Sequence, residues 1–343
     1  LKQYVGSAPL YGIKTGFNEA FMVDQETRDR LVAEDPACEP VIRRYLRGRD
    51  IQRWTPEWDG QWMIVMRSSE NHAWPWAGAG DRAETIFRKT YPSLFAHFSR
   101  LKPALLKRQD KGRFWWELRA CDYYDKFDAP KIVYQVIAFH SRIALDRDGL
   151  LGNDKTFILP TGCMWLLALL NSSVLWRLMW HDFPHMKDEA ISMQGFAVEN
   201  LPIPERTPVS AEAEGFATSL LQHVEEMRGR RMQVLMEIEP YREELHVDSK
   251  SSGRSAEDVT SLLSRLQGAP RVSTATEAHV RKVLEEWRDV RCTFEARIRE
   301  NEVKLQSAIF EAFKLSPEEI RLLRSTAPPR DPVDLIQQVS DDA

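Results

Sequence analysis

The pattern of apolar and polar residues changes character near residue 205. Before that point, short apolar runs rich in aromatic and β-branched residues are bounded by turn-forming residues, which predicts β-strands. The predicted strands are Phe21–Val23, Trp62–Met66, Lys131–Ile137 and Thr156–Leu159. Apolar residues at helical spacing predict helices over Glu84–Ala104 and Trp165–Trp180. Because strands and helices intermingle, the pattern indicates a mixed α/β domain.

A second pattern follows Leu201-Pro202-Ile203-Pro204, a segment that cannot continue a helix. Apolar residues then recur about every 3.5 residues over 220–245 and 280–309, the spacing of a coiled-coil seam. The polar link Asp248–Gly253, followed by a short predicted helix ending near Gly268, favours helices that fold back on each other. The predicted fold class is α+β, with a mixed α/β domain followed by a long antiparallel helical hairpin.

These patterns predict where the domains end. We predict a first domain over 1–205, a helical coiled-coil-like arm over 206–327 and a flexible tail over 328–343, which is rich in Pro and Asp. Near the end of the arm, Ser316-Pro317-Glu318-Glu319 predicts a helix that begins with a capping box.

Composition excludes several classes of protein. The net charge of −4 excludes a globally basic nucleic-acid coat but allows a local basic face. The longest apolar run, Met164–Leu170, is far shorter than the roughly 20 residues of a membrane span. The four cysteines are scattered without a CxxC pair, as is typical of reduced thiols in a cytoplasmic protein. The first residue is Leu1 rather than Met, so we expect a longer parent protein.

Catalytic motifs are scarce. GxSxG, HExxH and Walker A sequences are absent, and Gly12-Ile13-Lys14-Thr15-Gly16 is better interpreted as a structural turn than as a phosphate loop. His181 and His185 have the spacing of a helical metal site, but Pro184 favours a turn. Asp122 and Asp125 form either an acid–base pair or a solvated loop. We predict no catalytic, cofactor-binding or metal-binding residue in this chain.

One stretch departs from the average charge. Residues 100–147 contain eleven basic and six acidic residues, a net charge of +5, although the whole chain carries −4. Phe114, Trp115, Trp116, Tyr123, Tyr124 and Tyr134 are interleaved with them. The mixture predicts either a nucleic-acid-binding surface or a solvated surface beside an aromatic core, and the aromatic residues favour the core.

Several motifs occur in the order of a known family. They include Tyr11–Phe21 (a GIxTGxNxAF-like opening), Tyr45–Ile51 with LRGRDI, Arg108–Gly112 with an R-x-D-x-G-like turn, Trp115–Arg119, Pro130–Val133 with PKIV, Leu166–Ser172 and Leu201–Pro204. Over about residues 10–205, the chain resembles the TaqI-like C-terminal specificity (target-recognition) domain of adenine-N6 DNA methyltransferases and type IIG restriction–modification enzymes.

The resemblance implies a sequence-specific double-stranded DNA recognition module. The family's S-adenosylmethionine-binding glycine-rich turn and its Asn-Pro-Pro-Tyr motif are absent here. The resemblance therefore implies that the cofactor and the methyl transfer belong to a partner domain or subunit, and that this chain alone is inactive. The alternatives are a coiled-coil scaffold or oligomerisation protein with a protein-binding first domain, and a free-standing enzyme that uses the His or Asp pairs.

Candidate DNA-binding residues follow from charge and position rather than from the family. We predict that Lys107, Arg108, Lys111 and Arg113 reach a groove, and that Arg119, Lys131 and Arg142 contact phosphates. Lys14 and Thr15 either meet the DNA backbone or support the junction with the catalytic domain. For Arg47 and Arg49, internal ion pairing is at least as good an interpretation as DNA contact.

Overall fold

The structure is a computed structural model that describes residues 1–241 and 274–332. The strands in this part are β1 Leu10–Tyr11, β2 Met22–Val23, β3 Ile42–Leu46, β4 Trp62–Ile64, β5 Lys131–Gln135, β6 Ile137–Ala138, β7 Ile143–Asp146, β8 Leu151–Gly152, β9 Thr156–Leu159 and β10 Ile191–Ser192. The helices are α1 Lys2–Val5, α2 Asn18–Phe21, α3 Gln25–Glu34, α4 Ala83–Thr90, α5 Pro92–Ser99, α6 Lys102–Lys107, α7 Met164–Leu170, α8 Ser173–Asp182, α9 Gly195–Val198, α10 Pro208–Ile238, α11 Thr274–Ala312 and α12 Pro317–Ser325.

Two small sheets and a two-stranded pair organise the first part of the chain. One sheet has the order β1-β9-β5-β7 with antiparallel neighbours throughout. The other has the order β2-β4-β3-β8, in which β8 runs parallel to β3. Strand β6 pairs with β10. The arrangement of small sheets and helices confirms the predicted α+β class.

The predicted helices are real but shorter than expected. The stretch Glu84–Ala104 forms three helices, because Pro92 and Pro103 each lie in the first turn of a new helix and cannot continue the preceding one. The stretch Trp165–Trp180 forms two helices, because the Ser172 hydroxyl caps α8 by accepting from the Leu175 amide. Both breaks are at residues whose chemistry ends or begins helices.

Strand predictions differ mainly at their ends. Thr156–Leu159 forms strand β9 over its full predicted length. Phe21 closes helix α2 instead of opening a strand, and the chain 131–137 is interrupted at Val136, whose amide donates to the Lys155 carbonyl (2.9 Å). Local pattern therefore located these strands but did not set their limits.

The core contains most of the aromatic residues of the basic stretch. Trp115, Trp116, Tyr124 and Tyr134 are buried. Trp116 stacks between Phe114 (4.9 Å between ring centroids) and Phe87 (4.8 Å). The interpretation of these rings as core is confirmed, so aromatic bases of a nucleic acid do not stack on them.

The two long helices form an antiparallel pair. Val234 and Ile238 near the end of α10 pack against Val280, Leu284 and Trp287 near the start of α11. This seam confirms the predicted hairpin. The predicted link Asp248–Gly253 and the predicted helix ending near Gly268 lie outside the described residues.

The chain divides into two compact units at limits that differ from the predicted ones. The first unit contains Leu1–Ser210 and Ile309–Ala343, and the second contains Ala211–Ala308. The end of α11 and all of α12 therefore belong to the first unit, although the prediction placed them in the arm. Helix α12 begins with the predicted capping box between Ser316 and Glu319.

The start of the predicted tail is held in place. Asp331 is 2% exposed and accepts a hydrogen bond from the Ser173 hydroxyl (2.6 Å), and the Pro329 carbonyl accepts from the Trp176 indole (3.4 Å). The prediction of a flexible tail from residue 328 is thus wrong for 328–332, and the rest of that tail lies outside the described residues. No helix in 1–241 or 274–332 combines the length and apolar content needed to cross a membrane.

Candidate nucleic-acid interface

Four loop segments of the first unit adjoin one another, and we call them the loop edge: residues 12–17, 47–50, 108–119 and 152–156. Segments 12–17 and 152–156 are joined where the Ile13 amide donates to the Gly152 carbonyl (2.6 Å). Segments 47–50 and 152–156 meet at Gln135, whose amide donates to the Gly48 carbonyl and whose neighbour Val136 bonds Lys155. Segment 108–119 adjoins segment 12–17 through a hydrogen bond from Arg108 to the Thr15 carbonyl.

Arg108 ties segment 108–119 to segment 12–17. Its guanidinium donates to the backbone carbonyls of Thr15 (2.6 Å), Trp115 (2.8 Å) and Glu117 (2.8 Å). The group lies 4.6 Å from the centre of the Phe21 ring. Burial lowers the pKa of Arg108 to about 10. Arg108 is a buried clamp, so the prediction that it reaches a DNA groove is wrong.

A buried carboxylate completes the scaffold of this turn. Glu117 is fully buried and accepts from the Ser69 amide (3.1 Å), the Trp76 indole (2.9 Å) and the Phe114 amide (3.2 Å). A Cβ atom at Gly112 would lie 2.8 Å from the Glu117 side chain, so this position requires glycine. The path of the turn is therefore fixed from within by Arg108, Gly112 and Glu117.

Exposed basic side chains project from this fixed turn. Lys111 and Arg113 are exposed, and each donates to a nearby carbonyl: Lys111 to Leu106 (2.8 Å) and Arg113 to Ala77 (2.9 Å). Arg119 is also exposed and lies 3.6 Å from Asp110. Lys107 is exposed at the end of α6. These four predicted residues remain available to a ligand, because exposed pairs of this kind are weak.

Segment 12–17 holds two candidate residues, one at the surface and one in the interior. Lys14 is exposed and pairs with Asp110 (2.8 Å), which joins it to the turn at 108–119. Thr15 is 3% exposed, and its hydroxyl donates to Asn18 (2.5 Å). Thr15 therefore supports the fold, whereas Lys14 faces solvent.

The two arginines of the LRGRDI element also differ: one is paired with interior carboxylates and the other is exposed. Arg47 pairs with the fully buried carboxylate of Asp50 (3.0 Å) and also with Asp59. Arg49 is 65% exposed at its side chain and lies 4.0 Å from Asp50. Internal pairing is thus the role of Arg47, whereas Arg49 adds positive charge to the surface.

The charge of the loop edge opposes that of the chain. Its segments hold eight basic and four acidic residues, a net charge of +4, whereas the whole chain carries −4. Arg108 and the carboxylates of Asp50 and Glu117 are buried, whereas Asp110 lies beside Lys14 and Asp154 beside Lys155. The exposed part of the loop edge is therefore strongly cationic, as a surface that binds a polyanion must be.

Lys131 has no access to solvent. Its ammonium pairs with Asp146 and donates to the Phe127 carbonyl (2.6 Å), and both charged side chains are fully buried. Burial lowers the pKa of Lys131, although Asp146 opposes this change. The prediction that Lys131 contacts a phosphate is wrong because its charge is neutralised inside the sheet. Arg142 is exposed and lines a separate cleft, described below.

The histidine pair and the aspartate pair, which were considered as metal-binding and acid–base groups, each bond to different neighbours. His181 pairs with Asp182 (2.7 Å), whereas His185 contacts the Trp180 carbonyl (2.8 Å). Asp122 accepts from Asn71 (2.9 Å), and Asp125 pairs with Lys126 (3.1 Å). Within the described ranges, no three His, Cys, Asp or Glu side chains converge as metal ligands do.

Comparison with known proteins gives a fold relationship. No protein-family model matches this sequence, and no curated protein sequence matches it. A solved structure of the type IIL restriction–modification enzyme MmeI in complex with DNA is similar, with a TM-score of 0.55 and 12% sequence identity. The match covers 93% of this chain and 35% of the enzyme chain, so this chain spans about a third of that enzyme's length. At this identity, the similarity shows a shared fold.

Proposed function

We propose that the first unit is a double-stranded DNA recognition module of a restriction–modification enzyme, with the loop edge as its contact surface. The observation that carries the proposal is the net charge of +4 on four adjoining loops of a chain whose total charge is −4. The fold similarity to an enzyme solved with DNA supports it, as does the family resemblance of the motifs. Exposed Lys14, Arg49, Lys111, Arg113 and Arg119 supply phosphate and groove contacts.

The turn at 108–119 suits sequence selection. Its backbone is fixed by buried hydrogen bonds, so the exposed side chains are held in position before DNA arrives. Arginine and lysine can bond the O6 and N7 atoms of guanine in the major groove. We therefore assign base reading to Lys111 and Arg113, and phosphate contact to Lys107, Arg119 and Lys14.

Duplex selection tests the proposal. The 343-residue chain is used to enrich a randomised duplex library, and its affinity for the enriched duplex is measured by fluorescence anisotropy across salt concentrations. We expect one sequence motif to be enriched. Arg119→Gln is expected to lower the slope of log affinity against log salt by about 1. Lys111→Gln is expected to reduce the preference for one base at one position of the motif. Arg321→Gln, on exposed α12, is the control that leaves both unchanged.

One pair of results would contradict the proposed DNA-recognition function. A chain that shows no affinity for any duplex at low salt, and that forms an obligate dimer by light scattering, would instead support the scaffold hypothesis.

We further propose that the parent enzyme is an adenine-N6 DNA methyltransferase whose catalytic domain or subunit holds S-adenosylmethionine. The absence of the family's two catalytic motifs from this sequence supports that division of labour. The purified chain is expected neither to bind S-adenosylmethionine in calorimetry nor to transfer a labelled methyl group to the enriched duplex. Methyl transfer by this chain alone would contradict the proposal.

A further inference from the structure

A solvent-open cleft of about 260 Å³ lies beside the loop edge, and its lining is cationic. It is lined by Gln135, Phe139, His140, Arg142 and Arg330. Gln135 belongs to the end of strand β5 and donates to Gly48 of the loop edge, so the cleft and the loop edge are neighbours. No carboxylate is among the described residues that line it.

The two arginines and the histidine converge on one place. Burial, together with the positive charges of Arg142 and Arg330, lowers the pKa of His140 to about 4. Both arginines are therefore close enough to His140 for their charges to act on it. Like charges brought together in this way repel each other unless an anion joins them.

Two nitrogens beside the cleft also lack partners. Nη1 of Arg330 and Nδ1 of His140 are shielded from solvent and have no hydrogen-bond partner in the described part of the chain. Buried polar groups without partners are costly, so the arginine and the histidine are not neutralised by the protein groups around them. Glu57 acts electrostatically on Arg142, but it is not among the residues that line the cleft.

Arg330 is held in the cleft by the end of the chain. Its neighbours Pro329 and Asp331 are bonded to Trp176 and Ser173 of α8. Its guanidinium carbon lies over the Phe139 ring, 5.3 Å from the ring centre, which is a cation–π contact. A planar, pre-positioned guanidinium is the group best suited to bidentate contact with a phosphate.

We propose that this cleft binds one phosphate of the DNA backbone, held jointly by Arg142 and Arg330, on the duplex that the loop edge contacts. The inference rests on the proposed function and adds to it a phosphate site with a residue from the far end of the chain. A single phosphate between two arginines matches a cleft whose described lining holds two guanidinium groups and no carboxylate.

Salt dependence of duplex binding tests the inference. The 343-residue chain and its Arg142→Gln, Arg330→Gln and doubly substituted variants are titrated against the same 30-base-pair duplex by fluorescence anisotropy. Either single substitution is expected to lower the slope of log affinity against log salt by about 1. The double variant is expected to lose about the same amount, since both arginines contact the same phosphate.

Controls separate this result from misfolding and from a general charge effect. Arg142→Lys retains the charge and is expected to retain the slope, whereas Arg321→Gln removes an exposed charge elsewhere and is expected to change nothing. Thermal unfolding of each variant checks that the fold is intact.

Each outcome bears on a distinct claim. If the wild-type chain binds duplex but the glutamine variants keep its salt slope, the phosphate site is wrong and the proposed function stands. A double variant whose slope falls by about 2 would also overturn the shared site, because it would indicate two separate phosphates. A wild-type chain without affinity for duplex overturns both proposals.

Discussion

Arg108 and Lys111 stand three residues apart in one basic turn and have opposite roles. In the sequence both are cations in the turn that contains Gly112, and their charge alone cannot distinguish them. In the structure Arg108 donates to three interior carbonyls, whereas Lys111 is exposed. The difference arises from partners far away in the sequence, above all Thr15.

Replacing Arg108 is expected to affect stability first. Arg108→Met removes the donor to the carbonyls of Thr15 and Trp115 and leaves the Glu117 carbonyl with the Gly112 amide alone (3.3 Å). Because a buried charged donor is lost, we expect a loss of about 3 kcal/mol in the free energy of unfolding. Lys111→Met is the matched control and is expected to change it by less than about 0.5 kcal/mol. Urea denaturation measures both, and equal stability of the two variants would contradict the buried clamp.

His140 is expected to make stability depend on pH. Its pKa is lowered to about 4 in the folded chain by burial and by the arginines, whereas an unfolded histidine titrates near 6.5. The unfolded state therefore binds more protons between these values, so stability falls as pH falls from about 6.5 to about 4.

The size of this effect can be isolated by substitution. His140 is partly exposed, so after solvent screening we expect about 1 kcal/mol of extra destabilisation between pH 7 and pH 5. His140→Gln should lack this component in parallel urea titrations. A wild-type chain that loses no more stability than the variant would refute the assignment.

At the scale of elements, the loops are positioned by close backbone contacts rather than by regular structure. Segments 12–17 and 152–156 approach so closely that a Cβ atom at Gly12 would lie 2.6 Å from the Gly152 carbonyl oxygen. Glycine permits this approach because it has no side chain. Gly12 of the opening motif thus allows the two loops to meet at the loop edge.

Gly12→Ala is expected to separate these two loops. The added methyl group collides with backbone atoms that cannot rotate away, so we expect a loss of more than about 2 kcal/mol in unfolding free energy. Gly78→Ala is the control, since nothing lies within 4 Å of its added methyl group, and it is expected to cost nothing. Thermal unfolding that leaves Gly12→Ala as stable as Gly78→Ala would contradict the packing.

Elements were predictable where local chemistry determines them. Strand β9 follows from a short run of aromatic and β-branched residues bounded by turn-forming residues. The capping box at Ser316 follows from a hydroxyl three residues before a glutamate. The apolar spacing also predicts helix over 84–104, but spacing takes no account of Pro92 and Pro103. Buried roles such as those of Arg108 and Lys131 were not predictable, because their carbonyl and carboxylate partners are distributed along the chain.

At the scale of the whole molecule, the chain returns to its first unit after the helical hairpin. Ser173 and Asp331 are bonded although 158 positions separate them. The residues around position 328 give no local indication of this contact. Their content of Pro and Asp therefore predicts a frayed tail instead. The return carries Arg330 to the cleft beside the loop edge.

Breaking this return is expected to weaken DNA binding without unfolding the protein. Asp331→Ala removes the acceptor of the Ser173 hydroxyl, so amide hydrogen exchange should rise in residues 326–332 while the thermal midpoint stays nearly constant. Duplex affinity should fall because Arg330 is no longer held. Glu318→Ala, at an exposed position of α12, is the control, and unchanged exchange in Asp331→Ala would refute the anchor.

The turn at 108–119 separates positions that can vary from positions that cannot. Gln109, Lys111 and Arg113 point outward, whereas Arg108, Gly112 and Glu117 hold the chain path from inside. Natural drift or a randomised library could substitute the exposed residues while the backbone keeps its conformation. Descendants of this chain could therefore diverge in preference for their target within a few substitutions, without first having to evolve a new scaffold.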